Sequence, residues 1–67
     1  MNFQKKAKYA FYEDPYTLFE YIRDEGFGAR FKEYRLEPSD GAMEEVGEIY
    51  LDAYQITLLH LFDAEGD

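Results

Sequence analysis

Apolar and polar positions change their spacing several times along the chain, and each change marks an element. In "FQKKAKYAFY", Phe3, Ala7, Tyr9 and Phe11 fall at odd positions, the alternation of a strand with one apolar side. Ala7, Ala10 and Phe11 also fit helical spacing, so a helix over residues 3–12 is the competing reading. Asp14-Pro15 reads as an N-cap followed by a proline at the first helical position, where its missing N–H has no helical partner. "PYTLFEYIRDE" then sets Leu18, Phe19 and Ile22 on one side of a helix, and Gly26 closes it as a residue able to take positive φ. Beyond that stop, Phe27, Ala29 and Phe31 alternate with Gly28, Arg30 and Lys32, which predicts a strand over 27–36, with a short helix over 29–36 as the alternative.

From Asp40 to Ala64 the pattern changes again. Glu44, Glu45, Glu48, Asp52, Gln55 and Asp63 recur at three- and four-residue steps, within about 100° of a helical wheel. The positions between them are nearly all apolar, and neither parity is consistently polar, which argues against a strand. The spacing predicts a long helix over 42–63 that buries Val46, Ile49, Tyr50, Ala53, Leu58 and Leu61. The expected architecture is α+β, a single small domain over residues 1–67 in the order strand, helix, strand, long helix. A mostly α arrangement is the alternative.

Composition changes this picture in two ways. At 67 residues a single core is marginal, and with no cysteine neither disulfides nor thiolate metal sites can reinforce it. Association is the staple left. The apolar arc of the expected long helix spans roughly 220°, more than one core needs, which predicts a homodimer. Charge is the second point. Of the net −8, residues 1–36 carry all seven bases and six acids, while residues 37–67 carry nine acids and no base. Hydrophobic residues make up 46% of the chain, so it should fold despite that charge. No signal peptide or membrane span is readable, and a host-cell cytoplasm is the expected location.

Candidate chemistry is sparse. Gly26-Phe27-Gly28 resembles the middle of the RRM ribonucleoprotein motif. Glu25 and Ala29 stand where that motif wants a base and a stacking aromatic, and a helix stop plus a tight turn accounts for the glycines. The same residues resemble a dinucleotide fingerprint, but Phe31 replaces its third glycine. Lys5-Lys6-Ala7-Lys8-Tyr9 and Arg30-Phe31-Lys32 interleave bases with aromatics, yet a −8 molecule repels phosphate, so direct nucleic-acid binding is not expected. His60 is the only histidine and reads as a partly buried structural residue; Ser39 is the only serine and lies in a turn. Thr57 stands where a Glu-x-x-His metal motif would need its Glu, and neither "DGAMEE" nor "DAEGD" has calcium-loop spacing. The expectation is a protein that is not an enzyme and takes no cofactor or metal.

The acidic face of the expected long helix remains. Glu44, Glu48 and Asp52 would stack like charges every four residues, with Glu45 between them, at about the charge density of one nucleic-acid strand. This size, charge and lack of catalytic groups resemble the small acidic inhibitors of phages and mobile elements, including anti-CRISPR and anti-restriction DNA mimics. The resemblance implies a viral-type inhibitor or regulator that occupies a basic, nucleic-acid-handling surface on a partner protein. Its expected contacts are Glu44, Glu45, Glu48 and Asp52, with Tyr50 and Tyr54 as flanking anchors. The alternative is a homodimeric structural or adaptor module whose acidic face is merely solvated.

Overall fold

The computed structural model describes residues 3–62, and their architecture is almost wholly antiparallel β-sheet. Five strands, β1 (Tyr9–Phe11), β2 (Asp14–Glu25), β3 (Gly28–Leu36), β4 (Met43–Asp52) and β5 (Leu59–Leu61), form one sheet in the order β4-β3-β2-β1-β5. The one helix among the described residues, α1 (Ala53–Thr57), carries the chain from β4 at one edge to β5 at the other.

Both expected helices are thereby corrected. Residues 14–25 are a strand because Tyr16, Thr17, Phe19, Tyr21 and Ile22 are aromatic or β-branched, side chains that pack better on a pleated surface than around a helix. The N-cap signal at Asp14 is half real. Its carboxylate accepts from the Tyr16 N–H at 3.2 Å and the Thr17 hydroxyl at 2.8 Å, but these bonds lie within the first residues of β2 rather than at a helix start. Residues 43–52 are also a strand, and only residues 53–57 of the expected long helix are helical. Its last residue, Asp63, lies outside the described residues. Of the side chains expected to be buried there, Ile49 is half-buried, while Val46, Tyr50, Ala53, Leu58 and Leu61 are exposed. The strand over 27–36 is present as β3, and the first strand is limited to Tyr9–Phe11 by a turn at Lys5-Lys6, where Lys6 has a φ of 67°.

Glu25 pairs with Gly28 across a two-residue turn, so Gly26 and Phe27 make a tight β-hairpin. Gly26 does take positive φ, 60°, but as the first residue of that turn rather than as a helix stop. Gly28 is required for a different reason: a Cβ there would strike the Leu51 carbonyl oxygen and the Asp52 Cα on β4. One face of the sheet carries the main core cluster, while Leu18 is buried on the other. In that cluster Phe19, Ala29, Phe31 and Leu51 are buried, and Ile56 of α1 closes one end. Phe3 folds onto the same side, stacked on Tyr21 at 5.4 Å and edge-on to Tyr9 and Phe31 at 5.0 and 5.3 Å.

Candidate functional site

Two bulges decide which side chains share the outer face. Ile22 is an extra residue in β2 opposite β3, and Val46 is an extra residue in β4, where Glu33 pairs with Gly47 but Tyr34 pairs with Glu45. Gly47, with a φ of 142°, supplies the backbone conformation that this bulge requires. The outer face then reads in rows across β2, β3 and β4: Leu18, Tyr34, Glu45; then Glu20, Lys32, Glu48; then Arg23, Arg30, Tyr50.

Within those rows the chain binds its own charges. The Glu20 carboxylate contacts Lys8 Nζ at 3.1 Å and accepts a hydrogen bond from the Tyr34 hydroxyl at 3.1 Å, with Lys8 also 5.0 Å from the Tyr34 ring centre. Burial would raise the Glu20 pKa, but Lys8 and Tyr34 outweigh it and hold the carboxyl below its ordinary value. Tyr34 is pushed up by burial first and then by Glu20 and Glu45. Glu25 bridges Arg30 at 3.1 Å and Arg23 at 2.8 Å; the Arg30 hydrogen bond is the main reason its pKa is lowered. Arg30 is correspondingly raised, by Glu25 first and at longer range by Glu48.

The six expected contact residues are distributed unevenly. Glu45, Glu48 and Tyr50 do share the outer face of β4, opposite Tyr34, Lys32 and Arg30 respectively. Glu44 is paired with Arg35 and points to the other face, since adjacent strand residues alternate. Asp52 has a structural role. Its carboxylate accepts the Gln55 N–H at 2.8 Å and its own N–H donates to the Gln55 side chain at 3.0 Å, a capping box that starts α1. Tyr54 is the second residue of α1, with 73% of its surface exposed. The single acidic helix stripe is therefore absent.

One residue of this surface was missed. Phe27 is 90% exposed at the hairpin tip, beside a shallow depression lined by Asp24, Gly26, Phe27 and Gly28. Its neighbour Gly28 pairs with Asp52, and the Tyr50 hydroxyl reaches to Gly28, so Phe27 and Tyr50 lie at the end of the sheet where α1, which carries the exposed Tyr54, begins. The available signal was an aromatic residue beside a turn glycine, where it has no core to fill. His60 lies at the opposite edge, half-buried in β5 and stacked on the Tyr12 ring at 3.8 Å. Among the described residues no three His, Cys, Asp or Glu side chains are gathered to hold a metal ion. The chain matches no family model, and no curated protein or solved structure is significantly similar to it.

Proposed function

We propose that this protein is a small binding module that inhibits or regulates a partner protein, docking through the outer face of β4 and the hairpin tip. The observation that carries the reading is the exposure of three aromatic rings, Phe27 at the hairpin tip, Tyr50 on the acidic face of β4 and Tyr54 on the helix that follows it. Large rigid rings held in water are the side chains that dominate binding energy when a partner desolvates them. Glu45 and Glu48 on the same face favour a partner that presents positive charge, as nucleic-acid-handling surfaces do.

The physical basis differs from that of a helical phosphate mimic. Same-face side chains on a strand stand about 6.6–6.8 Å apart, and Lys32 and Arg30 lie in the next column. The acids thus act as a charged rim around aromatic anchors. The adaptor reading draws support from the same register, because Glu48 faces Lys32 and Glu44 faces Arg35, which suits acids that serve the sheet itself. The helical arc that suggested a homodimer no longer supports one.

The test is capture from a host lysate by immobilised wild type, by Phe27→Ala/Tyr54→Ala, and by Glu45→Lys/Glu48→Lys. Capture is run at about 50 mM and about 500 mM salt, where screening lengths are about 14 and 4 Å. The docking reading expects specific capture by wild type, lost in the aromatic variant at both salts and in the charge variant at low salt. Equal capture by all three folded proteins would leave the acids as solvated side chains and favour the adaptor.

A further inference from the structure

We infer that β4 takes up an extended, basic segment of the partner as a sixth strand, bonded to the main chain at Glu48 and Tyr50. This rests on the docking reading above and specifies the chemistry of its partner. β4 is a ten-residue strand at the sheet edge, with no strand on its far side among the described residues. Its main-chain orientation can be read from its neighbours. The Leu51 carbonyl points at β3, where only the missing Cβ of Gly28 leaves room for it, and the Asp52 N–H points away to the Gln55 side chain. Backbone groups alternate along an antiparallel strand, so the N–H and C=O of Tyr50, and of Glu48 two residues earlier, face the open side. The bulge at Val46 ends this regular stretch on one side, and the Asp52–Gln55 capping box ends it on the other. Two donors and two acceptors remain, enough for a short added strand.

Charge selects the occupant. Every charged side chain of β4 is an acid: Glu44, Glu45, Glu48 and Asp52. A second copy of β4 could therefore only place acids beside acids or neutral residues, and like charges directly opposite one another destabilise a pair. With the bulge, this resists self-pairing of an edge. A basic strand reverses the sign. Its residue opposite Glu48 falls on the outer face and is best filled by Lys or Arg. Two positions along, the residue opposite Tyr50 shares that face and is best apolar, to pack on the exposed ring.

The test uses the full chain, isotopically labelled, and a synthetic peptide of about eight residues with Lys and Val two positions apart on one face, spaced to set Lys opposite Glu48 and Val opposite Tyr50. Binding should slow amide exchange at Glu48 and Tyr50 by at least about tenfold. Methylating the peptide nitrogens that face β4, or introducing Glu48→Lys, should weaken binding by about tenfold or more. Unchanged exchange at those two amides, or equal binding of the methylated peptide, would reduce the interaction to charge adsorption and overturn strand addition. The two readings fail separately. Loss of lysate capture in Phe27→Ala/Tyr54→Ala with no amide protection would keep docking and reject the added strand, whereas amide protection with unchanged capture would do the reverse.

Discussion

Strands β3 and β4 run side by side from Gly28 opposite Asp52 to Leu36 opposite Met43. β3 has a neighbour on each side, and its core-facing Ala29 and Phe31 are buried under Phe3, Tyr21, Ile49 and Leu51. On β4 only Leu51 is fully buried, Gly47 and Ile49 are partly covered, and the other seven positions are exposed. The same pairing thus holds one strand that makes the core and one that presents side chains to solvent. The central strand is set by packing, where volume is constrained, while the edge strand is free to carry charge and unpacked rings.

The largest effect that would break this contrast lies at Phe31. Replacing Phe31 by Ala removes a fully buried ring with three aromatic neighbours and should cost about 3–5 kcal/mol. For so small a domain that approaches total stability, and denaturant titration should find the variant largely unfolded. A variant that keeps most of its stability would mean that the core does not centre on β3. Gly28→Ala should come next. The Tyr50 hydroxyl can swing aside, but the Leu51 carbonyl and Asp52 Cα cannot, so overpacking should cost about 1–3 kcal/mol. Amide exchange should quicken first at the β3–β4 pairing beside residue 28, and uniform loss across the sheet would argue against the backbone collision as its cause.

The bulges also explain what could be read from the sequence. β3 has no extra residue of its own, and with its alternation of Ala29 and Phe31 against Gly28, Arg30 and Lys32 its type was legible, as was that of the shorter β1. In β4 the extra residue Val46 brings Glu45 and Glu48 to the same face, three positions apart, which imitates the step of a helix. In β2 the extra residue Ile22 does the same for Glu20 and Arg23. Exposure of both faces of β4 over residues 43–46 then removed the apolar parity that would have betrayed a strand. Gly47 was the available warning, since an isolated glycine costs a helix about 1 kcal/mol but suits a bulge. Of the candidate site, Glu45, Glu48 and Tyr50 were legible as a group even from the wrong element. Asp52 was not legible as a cap, because its role depends on where α1 begins.

Glu20 sharpens the contrast on the outer face, where the middle strands are also tied together. Its folded pKa lies below the ordinary 4.5, so the Lys8 and Tyr34 contacts stabilise the fold above about that pH and lose their effect as pH falls through the lowered value. Glu20→Gln should therefore be less stable than wild type near neutral pH, by at most about 1 kcal/mol for a pair this close to the surface. The gap should narrow in acid. Urea midpoints for both proteins across that range provide the check, and a gap that widens on acidification would place the carboxylate's partners elsewhere.

The smallest expected effect is at Phe27. Its ring is almost wholly in water and follows Gly26, whose positive φ alone sets the shape of the turn. Truncation to Ala removes no buried area, leaves the Glu25–Gly28 pairing untouched, and should change stability by less than about 0.5 kcal/mol. A thermal melt of Phe27→Ala beside Phe31→Ala compares two phenylalanines four residues apart, one in the core and one at the tip. If Phe27→Ala melts with wild type, the ring is dispensable to the fold, and any loss of partner capture in that variant belongs to binding. If it lowers stability by more than about 2 kcal/mol, a value typical of buried side chains, then the hairpin tip is covered in solution. Phe27 would then belong with Phe31 in the packed interior, and the aromatic trio would no longer support a docking surface.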